Sequence, residues 1–336
     1  MSKAADIADR GKAGTLPADW EDEAEVIQEP RHRLPRMADA FAAANAMANS
    51  RRASNPLKTG FADIDDGLRH LGPKEVTMLA ADSGVGKSTL STQTALHVAN
   101  CGYGVVYFNL EMSSEMYALR TGANFTELPT QRAAIGELNG MERVQFARGL
   151  DELKAPAQRI VMGNASEHKT IPAIKKHVAD AKAELQLEGT PLRLVVVDHV
   201  LMVRVSGVRS DDKDALGMAR ADMLKDIAES FGVHVLALVH VTREGSKTGK
   251  MPTKNDLASS AWFDRHADNI LIFHQRRDAD GVFDKGSKAV LACQKSRWGS
   301  PFRAELEYRR GFFFPWSLDP QLKRLSERVE KEGNAA

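Results

Sequence analysis

The strongest chemical signal in the sequence is a glycine-bearing loop between an apolar strand and a helix. The strand is predicted at 75–80 and the helix at 88–99, and residues 81–89 read Ala-Asp-Ser-Gly-Val-Gly-Lys-Ser-Thr. In such a loop, backbone N–H groups and the start of the helix point at an anion, and the lysine reaches the terminal phosphates. The serine hydroxyl completes the coordination of a Mg²⁺ that also binds phosphate oxygens and water. We therefore predict that residues 81–89, the phosphate loop, bind a nucleoside triphosphate, taken to be ATP, with Mg²⁺, and that the chain hydrolyses it.

The phosphate loop departs from the usual pattern at one position. That pattern opens with a Gly where this chain has Ala81, whereas Gly84 and Gly86 remain where the loop must turn and approach the phosphates closely. A coincidental glycine-rich turn is the alternative, and the flanking strand and helix argue against it. The residues expected to bind the nucleotide are Ser83, Gly84, Val85, Gly86, Lys87, Ser88, Thr89 and Asp198, of which Ser88 and Asp198 are also the expected metal ligands.

Two carboxylates that follow other apolar strands are candidates for the chemical step. Asp198 ends the strand 193–198, where an acid lies beside Mg²⁺ at the carboxyl end of a strand. Glu111 follows the strand 104–110 and faces the crevice above the sheet, where it could polarise the attacking water. The alternative for Glu111 is an acid favoured by the dipole of a helix that Ser113 and Ser114 cap. We predict a catalytic role for Glu111.

A histidine and two cations are further candidates with less support from the residues alone. His240 follows the strand 233–239 and could hydrogen-bond the γ-phosphate, but a surface histidine explains the pattern equally well. Lys295 and Arg297 lie two residues apart after the strand 288–294, so their side chains project to the same side. Pointed at a phosphate, one of them would act as an arginine finger. Spacing alone favours a solvated charge pair at the edge of the sheet.

Two loops that follow the strands ending at Asp198 and His240 carry basic residues. Both loops leave the sheet on the side of the nucleotide, which would couple a basic channel for nucleic acid to hydrolysis. Three acidic residues reduce the positive charge of the first loop. Basic side chains that are simply exposed to solvent would explain the composition of both loops equally well. The residues concerned are Arg204, Arg209 and Lys213 with Asp211, Asp212 and Asp214 in the first loop, and Lys247, Lys250 and Lys254 in the second.

The elements that must position these residues alternate between strand and helix from Leu57 onward. This order predicts an α/β fold with a mostly parallel sheet, helices on both faces and an antiparallel C-terminal edge, where three strands follow one another closely. The predicted strands are 75–80, 104–110, 159–163, 193–198, 233–239, 269–274, 288–294 and 302–308, and the helices include 88–99, 113–121, 131–154, 170–186 and 214–231. Before them, Met37, Phe41, Ala44 and Met47 share one face of a short helix that must dock on its own core or on a neighbouring subunit.

Composition excludes several classes of protein. With 46 basic and 45 acidic residues among 336, the chain has no global basic field, so any contact with nucleic acid must be local. Two distant cysteines exclude a cysteine-rich zinc module and argue against a disulfide framework. The sequence has no signal peptide and no apolar run long enough to span a membrane, from which we expect a cytoplasmic location and no membrane partner.

The combined order of these segments resembles the RecA-type motor domain of replicative hexameric DNA helicases, the DnaB and Twinkle-like group. The resemblance covers residues 57–315. It is carried by 59–65 before the phosphate loop, Ala81 itself, Asn109-Leu-Glu-Met-Ser113, Asp198, Asp256–Trp262, Ala267-Asp268-Asn269 and Lys295-Ser-Arg297-Trp-Gly299. It implies that Glu111 is the catalytic base and that Arg297, with Lys295, reaches the ATP of a neighbouring subunit.

The resemblance further implies a RecA-like P-loop ATPase that assembles as a homo-oligomeric, hexameric ring on single-stranded or forked DNA. Translocation would run from 5′ to 3′, and a separate primase and a loader are the implied partners. The DNA-contacting residues are then expected to be Arg204, Arg209, Lys213, Arg243, Ala258, Ser259, Ser260 and Ala261. The implied organisation is a disordered arm at 1–34, a linker helix and linker at 35–56, the motor at 57–316 and a charged tail at 317–336.

Three departures from the family pattern stand out. Bacterial members usually have Gln where this chain has His240, and an acidic, glycine-containing loop is replaced by Ala258–Ala261. The first 34 residues are too few for the amino-terminal or primase domains, which suggests a motor alone, as a phage or mobile element would encode. Two other functions stay open: a RecA-fold ATPase of recombinase type, and an ATP-gated adaptor or loader that assembles on another helicase ring.

Overall fold

The computed structural model describes residues 37–38, 41, 44–46, 56–242, 251–257, 260–275, 288–309 and 311–314. The chain divides into two compact units, residues 1–55 and 56–336. In the first unit the described residues are helical, as predicted for this segment, and their side chains are exposed, Met37 and Phe41 among them. The second unit contains the sheet and every residue of the candidate site.

A nine-stranded sheet forms the centre of the second unit. Its strands are β1 (Val76–Ala81), β2 (Gly104–Asn109), β3 (Ile160–Asn164), β4 (Leu192–Asp198), β5 (His234–His240), β6 (Asn269–His274), β7 (Ala289–Ser296), β8 (Phe302–Arg309) and β9 (Phe312–Phe314). They lie in the order β3-β2-β4-β5-β1-β6-β7-β8-β9. The first six strands pair in parallel, and β7, β8 and β9 add an antiparallel edge. The predicted fold class is therefore confirmed, and β9 is a strand that the sequence interpretation missed.

The central strands are mostly apolar and are buried because both faces of the sheet are covered. Every residue of β1 and β2 is buried, which is typical of parallel strands between two layers of helices. In β4, Val195 and Val197 belong to one hydrophobic core, whereas Leu194 and Val196 belong to the other. Successive side chains of a strand point to opposite faces, so each strand contributes to both cores.

Helices cover the two faces unequally. The helices are α1 (Ala62–Leu68), α2 (Lys87–Asn100), α3 (Ser114–Phe125), α4 (Thr130–Ala134), α5 (Gly140–Ala157), α6 (Ile171–Leu187), α7 (Lys213–Phe231) and α8 (Ser260–His266). Buried residues of α6, α7 and α8 form one core with the sheet, and those of α1 and α2 form the other. Among the described residues, no helix is both long and apolar enough to cross a membrane.

The single helix predicted at 131–154 is wrong, because the structure has two helices there, α4 and α5. Between them Gly136 has a φ of 76°, a left-handed conformation that interrupts the first helix. Asn139 then caps α5, accepting a hydrogen bond from the Glu142 backbone while the Glu142 side chain accepts one from the Asn139 backbone. This reciprocal capping box starts a new helix and fixes its direction.

The carboxyl ends of four parallel strands meet at one edge of the sheet. Ala81 of β1 lies opposite His240 of β5, and Asn109 of β2 lies opposite Asp198 of β4. Ligands of open α/β sheets bind at this edge. The topology thus brings the phosphate loop, Glu111, Asp198 and His240 to one place.

Candidate active site

The phosphate loop ends in a helix whose first turn is open to an anion. Gly84 and Gly86 have φ of 78° and 106°, so both positions use conformations that favour glycine. Gly86 is the N-cap of α2 and offers no side-chain acceptor to the helix. The first N–H groups of a helix have no intrahelical partner, and together with the helix dipole they favour a bound phosphate.

Close packing gives Gly86 a second constraint. A Cβ atom at this position would lie 2.6 Å from the Phe313 ring of β9, closer than carbon atoms can approach. Phe313 is itself fixed to α2, because its N–H donates to Gln93 Oε1 at 2.9 Å and its carbonyl accepts from Gln93 Nε2 at 2.9 Å. The short strand β9 therefore supports the phosphate loop from below, a contact that no local sequence pattern indicates.

Lys87 is held at the loop by neutral acceptors. Its Nζ donates to the carbonyls of Ala81 at 2.9 Å and Asp82 at 3.1 Å, and it lies 3.2 Å from His240 Nδ1. Burial lowers the pKa of Lys87 to about 8, and the charges of Asp198, Glu111 and Asp82 oppose that shift. The ammonium group thus lies within the phosphate loop, and its contact with terminal phosphates stays a prediction.

Ser88 and Asp198, the two predicted metal ligands, lie together. Asp198 is buried at the end of β4 and accepts hydrogen bonds from the Ser88 side chain and from the Tyr107 hydroxyl, the latter at 3.3 Å. Burial raises the pKa of Asp198, and the Ser88 hydrogen bond and Lys87 lower it. A carboxylate beside a hydroxyl is a set of hard oxygen donors, so these residues fit Mg²⁺.

Two tyrosines under the site were missed by the sequence interpretation. The Tyr107 hydroxyl lies 2.7 Å from Ser91 Oγ, and the Tyr117 hydroxyl lies 2.7 Å from Thr92 Oγ1. Their rings are 4.9 Å apart, and burial raises the pKa of both phenols well above its usual value, with a smaller contribution from the nearby Asp198 carboxylate. Both phenols stay neutral, and Tyr107 donates to Asp198 and so helps to fix its carboxylate, whereas Tyr117 contacts Thr92 of α2.

Glu111 lies beyond the end of β2 and faces two histidines. Its Oε1 is 3.0 Å from His199 Nε2 and 3.8 Å from His240 Nε2. The backbone of Glu111 is fixed because Asn109 Oδ1 accepts from the N–H of Glu111 at 3.4 Å and of Met112 at 3.3 Å. Hydrogen bonds from His199 and then His240 hold the pKa of Glu111 well below its usual range. The carboxylate is therefore ionised near neutral pH.

His199 is a further site residue that the sequence interpretation did not find. It follows Asp198 directly, is buried, and packs edge-to-face against His240 with ring centroids 4.5 Å apart. A polar aromatic residue directly after a strand-ending carboxylate was the available signal. The contact with Glu111 depends on the pairing of β2 with β4, which brings the two strand ends together.

Arg297 and Lys295 lie at the end of the sheet opposite to the phosphate loop, the end at which β1 begins. Arg297 Nη1 is 2.8 Å from Asp268 Oδ1, and Asp268 Oδ2 accepts from the N–H of Val76, the first residue of β1. The phosphate loop follows the other end of β1, six residues or about 17 Å away. Lys295 Nζ donates to the Asp264 carbonyl. The structure therefore does not bring these two cations to the phosphate loop of their own chain.

The residues expected at the DNA are partly described. Arg204 and Arg209 are exposed in the connection after β4, where Arg209 pairs with Asp211 at 3.0 Å, and Lys213 begins α7. Ser260 and Ala261 begin α8. Lys254 is 2.8 Å from Asp264 Oδ2. Arg243, Lys247, Lys250, Ala258 and Ser259 lie outside the described residues. A DNA contact at these positions stays a prediction.

Comparisons with known proteins agree on one family. The family model for the DnaB-like helicase C terminal domain matches residues 56–313. The replicative DNA helicase DnaB of Buchnera aphidicola subsp. Schizaphis graminum is 25% identical over 234 residues, which cover 67% of this chain and 49% of that protein. DnaB of Helicobacter pylori strain ATCC 700392 / 26695 is 24% identical over 243 residues, covering 69% of this chain and 47% of that protein. The chain thus spans about half the length of the curated relatives it matches.

Solved structures show the same fold. One solved ATPase domain superposes with a TM-score of 0.70 at 18% identity, covering 84% of this chain and 99% of that domain. A DnaB-like replicative helicase, studied with its interactions with primase, gives a TM-score of 0.69 at 17% identity and covers 88% of this chain and 69% of its own. At these identities the likeness bears on the fold alone.

Proposed function

The chain belongs to the DnaB-like helicase C-terminal domain family, and on that premise we propose that it is an ATP-driven motor that moves along single-stranded DNA and separates the duplex. The observation that carries the proposal is the convergence of Lys87, Ser88, Asp198 and Glu111 at one edge of the sheet. Lys87 lies at the loop carbonyls, Asp198 accepts from Ser88, and Glu111 is ionised beside them. Together they supply the parts that phosphoryl transfer needs: a phosphate cradle, a metal position and a group that orients water.

In the proposed hydrolysis each side chain has a separate role. The N–H groups of the phosphate loop and Lys87 bind the phosphates. Ser88 and Asp198 would hold Mg²⁺, which neutralises charge that develops on the phosphate oxygens. Glu111 orients the attacking water and accepts its proton, with an ionised carboxylate and a fixed backbone. Loss of its contacts with His199 and His240 on nucleotide binding would raise its basicity toward what this role needs. ATP as the nucleotide is part of this proposal.

The position of Arg297 supports assembly into a ring. The arginine cannot reach the phosphate loop of its own chain, yet its side chain is 47% exposed, so it is available to a neighbouring subunit. Repeated head-to-tail contacts, in which one side of each subunit meets the opposite side of the next, form rings when the rotation between subunits closes and open filaments when it does not. We propose a hexameric homo-oligomer in which Arg297, with Lys295, completes the site of the next subunit.

The remaining partners follow from the same proposal. The exposed apolar helix that includes Met37 and Phe41 would pack on an adjacent subunit. The loops after β4 and β5 would contact the phosphates of single-stranded or forked DNA, which positions the strand without reading its sequence. A separate primase and a loader are further proposed partners, the primase because a solved DnaB-like relative interacts with one. The domain limits 1–34, 35–56, 57–316 and 317–336 stay predictions.

The test is unwinding of a forked DNA with a 5′ single-stranded tail, with ATP and Mg²⁺, compared among the wild type, Glu111→Gln and Glu115→Gln. Glu115 is the matched control because it lies four residues further on, in the first turn of α3, and is exposed. Glu111→Gln should lose ATP hydrolysis by about 10²–10⁴-fold while still binding nucleotide, since it removes only the proton acceptor. Glu115→Gln should hydrolyse ATP and unwind like the wild type.

Two results would redirect the proposal. If the wild type hydrolyses ATP in response to single-stranded DNA but never separates strands, even with a primase supplied, the chain is a recombinase-like or adaptor ATPase. If Glu111→Gln hydrolyses ATP at the wild-type rate, Glu111 does not activate the water.

A further inference from the structure

Three side chains that commonly bind metals meet above the sheet, each following a different strand. Glu111 lies after β2, His199 after β4, and His240 at the end of β5. One ligand atom from each of the three lies within 4.8 Å of the other two. Among the described residues this is the one group of three or more such side chains that meets this criterion.

The spacing and the chemistry of this group suit a late first-row divalent cation. Bond lengths of about 2.0–2.1 Å and tetrahedral angles place neighbouring ligand atoms about 3.3 Å apart. Glu111 Oε1 is 3.0 Å from His199 Nε2 and 3.8 Å from His240 Nε2, on either side of that value. Two imidazoles with one carboxylate form a zinc-binding set that leaves one position open, whereas Mg²⁺ prefers oxygen ligands.

We propose that Glu111, His199 and His240 bind Zn²⁺ or a similar transition-metal cation at a site separate from the Mg²⁺ position at Ser88 and Asp198. The cation would replace the protons that His199 Nε2 and His240 Nε2 direct at Glu111. His240 would then carry its ring proton on Nδ1, so Lys87 Nζ, which lies 3.2 Å from that atom, must turn away. The His199 side chain is 9% exposed, and those of His240 and Glu111 are 33% and 39% exposed. One ligand is thus held rigidly in the protein, and the other two face an approach from solvent.

A cation bound here would inhibit hydrolysis, and this part of the inference rests on the proposed function. Glu111 is the residue proposed to accept a proton from water. A carboxylate that coordinates a divalent cation is much less basic and is turned toward the metal rather than toward water, so metal binding opposes hydrolysis. The site would make the motor sensitive to zinc-class cations while Mg²⁺ supports it.

Binding is tested first, with Co²⁺ as the probe, on the full chain without nucleotide. Tetrahedral Co²⁺ absorbs visible light, so a titration reports both stoichiometry and geometry without relying on enzyme activity. We expect one Co²⁺ per chain, displaced by Zn²⁺ but not by excess Mg²⁺. His199→Gln and His240→Gln should each weaken Co²⁺ binding by at least about 10-fold, since outer-shell changes alone already cost that much.

Two control variants address other places where ligating side chains meet. Cys101 Sγ lies 3.7 Å from His97 Nε2, and the rings of His168 and His177 are 4.0 Å apart. Cys101→Ser and His168→Gln should bind Co²⁺ like the wild type. The proposed site is wrong if no tetrahedral spectrum forms, if either control removes it, or if it persists in both His199→Gln and His240→Gln.

The inhibitory role is tested separately by adding micromolar Zn²⁺ to the ATPase reaction in millimolar Mg²⁺. The wild type and Cys101→Ser should be inhibited to the same extent, and equal activity with and without Zn²⁺ would overturn the inhibition. If the chain binds Co²⁺ as described but hydrolyses no ATP, the metal site stands and the proposed function fails. If it hydrolyses ATP but gives no tetrahedral spectrum, the metal site alone is wrong.

Discussion

Several polar side chains of the candidate site are buried, where charge is disfavoured unless hydrogen bonds or other charges satisfy it. Lys87 stays largely protonated near pH 7 because two backbone carbonyls accept from it and three carboxylates lie nearby. Asp198 is buried but bonded to Ser88 and Tyr107. Buried polar groups are tolerated when they are satisfied in this way. The site therefore depends on neutral neighbours as much as on the charged residues that a motif search finds.

His234, at the start of β5, is a buried residue of this kind away from the site. Its Nδ1 lies 2.9 Å from the Gly72 carbonyl, and its Nε2 lies 3.1 Å from Thr77 Oγ1, which also accepts from Asn269 Nδ2 at 3.1 Å. Nδ1 therefore donates, and the neutral ring uses Nε2 to accept the Thr77 hydroxyl proton. A second proton on the ring would reverse that last bond.

Acidification should destabilise the fold through His234. Burial lowers its pKa to about 4 from an ordinary value of 6.5, so the unfolded chain binds the proton first. The contribution of the neutral ring is fully present above pH 6.5 and is lost as the pH falls toward 4. Between pH 7 and 5 this residue should account for about 2 kcal/mol of unfolding free energy. Urea denaturation of the wild type and His234→Asn at both pH values measures it, and an unchanged pH dependence in the variant would refute the assignment.

Helices and strands could be predicted from the sequence where neighbouring residues alone specify them. The strands at 269–274 and 302–308 were predicted to within a residue because their patterns are local: the first is a nearly continuous apolar run that specifies a buried strand, and the second alternates apolar and charged residues, as a strand with one exposed face does. The break between α4 and α5 was missed because its signals, Gly136 and the Asn139–Glu142 capping box, lie inside a helical pattern. Strand β9 has three residues, and its role in supporting Gly86 arises from packing between distant segments. The contact of His199 with Glu111 likewise required the strand order.

An added methyl group should be less well tolerated at Gly86, in the phosphate loop, than at Gly102, which has a similar backbone conformation at the other end of α2. Gly86 and Gly102 flank α2 with φ of 106° and 88°. A Cβ at Gly86 meets the Phe313 ring at 2.6 Å, whereas a Cβ at Gly102 meets nothing within 4 Å. Gly102→Ala should lose about 1–2 kcal/mol of stability, the cost of a left-handed alanine, and bind nucleotide normally. Gly86→Ala should lose more stability and bind a fluorescent ATP analogue at least about 10-fold more weakly.

That comparison separates backbone strain from the clash with β9. Gly102→Ala carries the strain alone, and a double variant Gly86→Ala with Phe313→Leu carries the strain with the ring removed. Partial recovery of nucleotide binding in the double variant would support the role of β9. Equal affinity in Gly86→Ala and the wild type would mean that the loop binds nucleotide in a different conformation.

At the scale of the whole molecule, the sheet separates two halves of one proposed site. The phosphate loop lies at the carboxyl end of β1, and Arg297 lies beside its first residue, bound to Asp268. Asp268 is 1% exposed and is also contacted by Lys225 at 3.3 Å, so it keeps one cation if Arg297 is removed. A structural role for Arg297 at Asp268 and a catalytic role in a neighbouring subunit therefore make different predictions.

Mixing two inactive variants should restore hydrolysis if Arg297 acts in a neighbouring subunit. Lys87→Ala lacks a working phosphate loop and Arg297→Ala lacks the arginine, so each alone should be inactive. In mixed rings, an Arg297→Ala subunit next to a Lys87→Ala subunit combines an intact phosphate loop with an intact arginine. With equal amounts and random assembly, about a quarter of the interfaces are complete, so about a quarter of wild-type ATPase activity should return.

Lys225→Ala, which removes the other cation at Asp268, should stay active alone, because it leaves Arg297 in place. Absence of recovery in mixed rings whose assembly is verified by mass would exclude the shared site, and loss of activity in Lys225→Ala would show that Asp268 requires both cations for structure.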